Sequence, residues 1–305
     1  MAKTTPSSPM WHREGLIDEE IKIAAKAVPT TFKRFVDVVE TRDRYYQLGT
    51  VGDMPSMSQI DELGSIPELS FETPFASTIT PKSYKGKFKI SVEAFLRDPH
   101  GLYDAVPVKL ADSLRKSREQ DCAGFLTRAD DSAFVTTPDG VALASASHLN
   151  GPGVFSNILT GNAPLSYNAA QDAIIQGMQA PDYNGDNMQI EGPWQLVVAI
   201  SNVAIAQNIK NTINGGYRYD TADREPNWVG GQIDDVVVVP YATSQLPWML
   251  IAKPQKPLLL VNGLGVKTIY QENGDDASYN WSLTSMYDLG ARMPQGLVWS
   301  AGNGS

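Results

Sequence analysis

The residues of this chain that could do chemistry are few and scattered. Its three histidines, His12, His100 and His148, lie far apart. None forms an H-x-x-x-H pair or stands beside Cys122, the one cysteine, so zinc binding and Cys/His catalysis have no local support. Asp130, Asp131, Asp139 and His148 can be drawn together as a metal cluster, but aspartate is a turn former and these positions read as turn and loop residues. Asp182, Asn184, Asp186 and Asn187 imitate part of a calcium loop. The run Asp-Tyr-Asn-Gly-Asp-Asn lacks the glycine and the closing glutamate at the spacing that loop requires, and reads as a polar surface loop. Trp194, Trp228, Trp248, Trp281 and Trp299 would suit a sugar platform if they converged. They fall mainly in strand-like runs at irregular spacing, which fits core or subunit-interface aromatics better. The sequence holds no nucleophile elbow, phosphate loop or G-x-G-x-x-G opening a helix. The expectation is a chain with no catalytic residue, no cofactor and no metal.

The bulk properties narrow the class. A chain of 305 residues with 42% hydrophobic and 19% charged residues is too apolar for a disordered chain and can bury a sizeable core. A net charge of −9 argues against binding nucleic acid through a broad basic face. One cysteine cannot make an intrachain disulfide, and Cys122 reads as a buried structural thiol. Residues 1–10 read as a polar, disordered tail and not a signal peptide, and no run approaches the ~20 apolar residues of a membrane helix.

The elements follow from periodicity. Residues 16–48 carry a helical pattern, with Ile17, Ile21, Ala24 and Ala27 before Pro29 and Phe32, Phe35, Val36 and Val39 after it. Residues 51–95 are punctuated by Pro55, Pro67, Pro74 and Pro81, which excludes a long helix. The first part of this ribbon holds Asp53, Asp61, Glu62, Glu68 and Glu72 without a lysine or arginine; the second holds Lys82, Lys85, Lys87 and Lys89. Phe88, Ile90 and Val92 alternate with polar residues as a strand does. Opposite charge favours pairing of the two arms, or of one arm with a neighbouring copy. So long a segment with so little core content reads as a projecting hairpin.

A long helix follows, with Pro107 in its first turn and its end near Arg128. Its middle, residues 115–121, is polar on every face, so it is either exposed or set along a polar interface. Thr137-Pro-Asp-Gly140 is a turn, and Val141 to Leu143 is expected to be a short strand. Helices are expected over 168–178, and from Ser201 or Asn202 to about residue 213. Strands are expected over 194–200, 236–239, 248–252 and 258–261, a texture of α/β type. Residues 266–270 and 279–288 flank a turn at 272–275 as a hairpin.

In this order the elements resemble the major capsid protein of tailed bacteriophages, and within it the Mu-like major head subunit. Asp139-Gly140-Val-Ala-Leu143 with His148 resembles that family's D-G-x-x-L-x-x-x-x-H segment, and Gly153 to Asn157 its G-x-x-S-N segment. Lys256-Pro257-Leu-Leu and Tyr287-Asp288-Leu-Gly290-Ala-Arg292 resemble the strands that close its chain. The resemblance implies an α+β chain of the HK-ninety-seven-type capsid fold. It would be divided into an N-terminal arm (1–48), an extended loop (49–95), a spine helix with peripheral domain (96–167), an axial domain (168–262) and returning peripheral strands (263–305). It also implies self-assembly into pentamers and hexamers of an icosahedral virion shell around double-stranded DNA that is bound without sequence specificity. Scaffold, portal and decoration proteins would be partners, synthesis would be in the host cytoplasm, and no membrane would be involved. A cellular nanocompartment shell shares the fold, but would enclose enzymes instead of a genome. Some relatives cross-link an extended-loop lysine to an asparagine; near Asn280 no matching arrangement is evident, so cross-linking is not expected.

Overall fold

The computed structural model describes residues 30–49, 75–97, 106–150, 153–211, 217–221, 225–242 and 246–304, with residues 57, 59, 60, 65, 66, 68 and 103. In chain order the elements are β1 (Asp37–Glu40), β2 (Tyr46–Gly49), β3 (Ala76–Ile79), β4 (Lys82–Ser91), α1 (Val92–Leu96), α2 (Val106–Thr127), β5 (His148–Asn150), β6 (Gly153–Phe155), α3 (Tyr167–Met178), β7 (Trp194–Ala199), α4 (Val203–Lys210), α5 (Trp228–Gln232), β8 (Ile233–Val239), β9 (Trp248–Ala252), β10 (Leu258–Asn273), β11 (Ser278–Ala291) and β12 (Leu297–Ser300).

Two four-stranded sheets organise the chain, ordered β1-β10-β11-β4 and β12-β9-β7-β8. In the second sheet β7 is buried at all six positions, as its unbroken apolar run requires. Trp194, Leu196 and Val198 face a core shared with α3, α4 and α5. Val197 and Ala199 face the other way, into a core shared with Cys122, Phe125 and Leu126 of α2. The sheet is thus the middle layer between the small helices and the end of the long one.

The first sheet is built on the hairpin β10–β11, joined by the turn after Asn273. Its alternate residues divide cleanly. Tyr279, Trp281, Leu283, Ser285 and Tyr287 of β11 share a face with Tyr84, Phe88 and Ile90 of β4, the face that α1 and α2 cover. Asn280, Ser282 and Thr284 lie on the opposite face.

Several expectations need correction. The helical pattern after Pro29 buries Phe32, Phe35 and Val36, but only through a short 3-10 turn, Phe32–Arg34. The chain then extends so that β1 pairs in parallel with Leu259 to Asn262 of β10. Val36, Val38 and Val39 are β-branched, and a free sheet edge outweighs a weak helical periodicity. The first helical piece and the tail lie outside the described residues, as does most of the acidic arm.

Among the described residues the lysine-bearing arm makes no pairing with the acidic arm. It pairs along its full length with β11 of its own chain, Lys82 opposite Tyr287 and Ser91 opposite Ser278. Ten ladder positions on an apolar partner exceed anything that dispersed charges can supply. Its strand stops at Ser91, whose hydroxyl accepts from the Ala94 amide and starts α1, so Val92 is helical. The Val141 to Leu143 strand is only a single bridge, Thr136 to Ala142. The helix after Asn202 closes at Lys210, where Asn211 turns extended. In α3 Ile175 is exposed, while Ala170, Ala173 and Gly177 are buried. Trp228 opens a short helix and is not in a strand.

Sheet membership also cuts across the expected divisions. Leu258 to Val261, placed with the axial domain, begin a single strand that runs on to Asn273. β12, placed with the returning strands, is antiparallel to β9 in the other sheet. Backbone pairing, invisible as a sequence pattern, decides both.

Candidate assembly surface

The polar middle of α2 divides in two. Lys116 and Gln120 are exposed, while Arg118, Glu119 and Asp121 form a hydrogen-bonded seam against the chain's own arm root and first sheet. Glu119 is buried and its carboxylate accepts from the Thr31 amide at 2.7 Å. The Arg118 guanidinium donates to the Ser285 hydroxyl at 2.6 Å and sits 5.0 Å from the Tyr287 ring. The Tyr287 hydroxyl donates to Asp121 at 2.7 Å, and its ring stacks on Tyr84 at 4.0 Å. Burial pushes the Glu119 carboxyl up, opposed by the backbone hydrogen bonds from Thr31 and Phe32. Burial and then the Asp121 carboxylate push the Tyr287 hydroxyl far above its ordinary value. Burial likewise raises the Cys122 thiol, which is fully enclosed and inert.

The arm root is tied down a second time. Arg34 donates to both carboxylate oxygens of Asp235 on β8, at 2.7 and 2.8 Å, and Arg292 donates to Asp37 at 3.2 Å.

The residues drawn as a metal cluster separate. Asp131 pairs with Arg128 at 2.8 Å at the end of α2. Asp139 instead meets His148, Nδ1 to Oδ2 at 2.9 Å, with both side chains buried. The His148 Nε2 lies 3.3 Å from the Leu143 carbonyl, which also accepts from the Asn157 side chain at 2.8 Å. Gly140 takes φ +84°, which the turn needs. Asp139, Leu143, His148 and Asn157, the fixed points of the two sequence motifs, thus form one buried polar strut. Burial alone would raise the Asp139 carboxyl, but hydrogen bonds from His148 and Thr137 outweigh it and hold it below the usual carboxylate value. The strut leads into the second sheet, since the Trp299 amide donates to the Asn157 carbonyl at 2.9 Å. The Trp299 indole donates to Leu126 at 2.9 Å, satisfying a carbonyl in the last turn of α2.

Asp182 is buried and its Oδ1 accepts from the Asn184 and Asp186 amides at 2.8 Å, an Asx-type turn. Trp194, Trp248, Trp281 and Trp299 are core side chains. Among the described residues no group of three or more His, Cys, Asp or Glu could hold a metal ion, and no helix is long and apolar enough to cross a membrane.

β2 and β3 pair with each other and meet the first sheet at one end, where Leu48 and Ile79 pack with Leu259 and Val261. Beyond Gly49 the chain leaves this pair and rejoins it at Ala76. Met57 and Ile66, within that stretch, are each 88% exposed. The sequence pattern extends the ribbon to residue 95. The β4 ladder moves that boundary to about residue 80.

A phage capsid protein family model matches residues 75–300; the chain belongs to that family. Its fold is that of the tailed-phage capsid proteins. It is similar to the capsid of cyanophage P-SCSP1u (TM-score 0.56, 14% identity, covering 89% of this chain and 87% of that one). It is similar also to the procapsid of bacteriophage JBD30 (TM-score 0.51, 13% identity, 97% and 76%), and to the virus-like particle from Pyrococcus furiosus (TM-score 0.51, 10% identity, 96% and 100%). No curated protein matches it in sequence. The chain is a structural subunit of the capsid-shell class.

Proposed function

We propose that this chain assembles as pentamers and hexamers into an icosahedral shell that encloses double-stranded DNA. The observation that carries the reading is the exposure of Met57 and Ile66, on a chain whose family and fold are those of capsids. Apolar side chains held in water call for a partner surface. In this reading residues 30–49 root the arm, the ribbon between Gly49 and Ala76 is the extended loop, α2 is the spine, and the two sheets are the peripheral and axial bodies. No residue is catalytic and no cofactor is bound. Scaffold, portal and decoration proteins would be further partners, and synthesis would be in the host cytoplasm.

A nanocompartment shell is the second reading, favoured by the likeness to the Pyrococcus furiosus particle over the whole of that chain. Electron microscopy of native particles with a nuclease-protection assay separates the two. Closed shells holding protected DNA support the first reading. Shells holding protein and no DNA support the second, and a monodisperse monomer under all assembly conditions contradicts both.

A further inference from the structure

Between its tie to β8 and its strand on the first sheet, the arm root borders a cleft of about 290 Å³. Lys33 and Arg34 line it from the arm root, Lys253 from the end of β9 and Lys256 from the turn before β10. Gln195 and Ile251, both buried, complete its inner wall. Asp37 is the one carboxylate among the lining residues.

The ion pairs around the cleft do not cancel its charge. Asp37 is shared by Lys256 at 3.4 Å and Arg292 at 3.2 Å. Asp235 takes Arg34, and Asp234 takes Lys253. Lys33 is exposed and has no carboxylate partner among the described residues. Five cations thus face three carboxylates, a surplus of two positive charges, on a chain whose net charge is −9. Concave walls of low dielectric concentrate such a field. Arg34 also keeps donors in hand. All its bonds leave from Nη2, toward both oxygens of Asp235 and, at 3.3 Å, the Val236 carbonyl. Its Nη1 and Nε have no partner among the described residues. A planar guanidinium with two such donors suits an oxyanion held by two parallel hydrogen bonds.

We propose that this cleft seats a phosphate group, with the free donors of Arg34 and the ammonium groups of Lys33, Lys253 and Lys256 as its ligands. A phosphate dianion offsets the surplus of two charges, and its several oxygens serve donors that arrive from different sides. Those donors come from the arm root, from the second sheet and from the lead-in to the first. An occupied cleft therefore ties the three together, beyond what Arg34 and Asp235 do alone. The inference goes beyond the shell reading and holds whether the phosphate is free or belongs to a nucleic-acid strand.

The full-length, unassembled chain in phosphate-free buffer tests it, with inorganic pyrophosphate as one probe and a short mixed-sequence DNA duplex as the other. At saturation pyrophosphate should raise the melting temperature by about 2 °C or more, because a ligand that binds only the folded chain stabilises it. Sodium chloride at equal ionic strength should not. A double variant, Lys33→Gln with Lys256→Asn, removes two donors at exposed positions, asparagine accepting the φ of +43° at 256. By calorimetry it should bind pyrophosphate about tenfold more weakly or worse. Arg34→Lys, which keeps the charge and loses the fork, should also weaken binding and stands in if the double variant fails to fold. Lys85→Gln with Lys87→Gln, which removes the same charge from β4, should bind like the parent. Pyrophosphate binding without duplex binding supports the proposal with a free phosphate as ligand. Binding of both, each weakened in the double variant, supports it with a strand as ligand. A thermal shift matched by sodium chloride, equal binding by parent and double variant, or an equal loss in the β4 variant overturns it. So does duplex binding with no response to pyrophosphate, which would reflect general attraction to a polyanion.

Discussion

Tyr287, near the end of β11, donates its hydroxyl to Asp121 in the middle of α2 across 2.7 Å, and so fastens the long helix to the first sheet. The Tyr84 ring and the Arg118 guanidinium close the bond from two sides. The consequence is a helix whose inward polar residues, Arg118, Glu119 and Asp121, are held by partners within the chain.

Removing that hydroxyl should be felt. Tyr287→Phe keeps the stacked ring but leaves Asp121 short of a donor, at a cost of about 1–3 kcal/mol. Equilibrium urea unfolding of the unassembled chain should show a lower midpoint with an unchanged slope. An unchanged midpoint would mean that water replaces the hydroxyl without loss.

The buried Asp139–His148 strut should fail more severely when halved. His148→Ala leaves the Asp139 carboxylate enclosed without that hydrogen-bond partner, which costs about 1–3 kcal/mol, and more for a charged group. The pH dependence has a definite sign. The folded-state value of Asp139 lies below its ordinary 3.8, so its stabilisation is fully present above that value and is lost as pH falls through the lower folded value. Acid titration of unfolding should show a steeper loss below about pH 4 in the parent than in Asp139→Asn. Parallel acid limbs would remove the carboxylate from the account.

Gly177 lies in α3 against Trp194, whose ring carbon would stand 2.4 Å from an added Cβ. Alanine gains up to about 1 kcal/mol in helix propensity over glycine. Overpacking a rigid, fully buried indole costs about 1–3 kcal/mol and should prevail. Gly177→Ala is therefore expected to lower the melting temperature of the subunit; a rise would show that Trp194 has room to shift.

Arg34→Ala should do little to the isolated subunit, despite two short contacts to Asp235. The arginine side chain is half exposed, and such pairs are worth about 0–1 kcal/mol. A thermal shift of more than a few degrees would show that the arm root is held chiefly by this pair and not by the burial of Phe32 and Phe35.

The amino-acid order by itself determined the elements whose pattern is strong and local. The apolar run from Trp194 to Ala199 could only be a strand buried on both faces. Pro107 and the long proline-free segment after it defined α2. Glu272 to Asp275 marked the turn of the long hairpin. Tertiary structure decided which strand lies beside which. The lysine-rich β4 went to β11 instead of to the acidic arm, the residues after Pro29 became an edge strand instead of a helix, and β12 crossed into the second sheet. The physical reason is that hydrophobic periodicity is a property of one segment, whereas a ladder of backbone hydrogen bonds is a property of two. The polar middle of α2 was unreadable for the same cause: Arg118, Glu119 and Asp121 are satisfied by Ser285, Thr31 and Tyr287, partners that only the folded chain brings within reach.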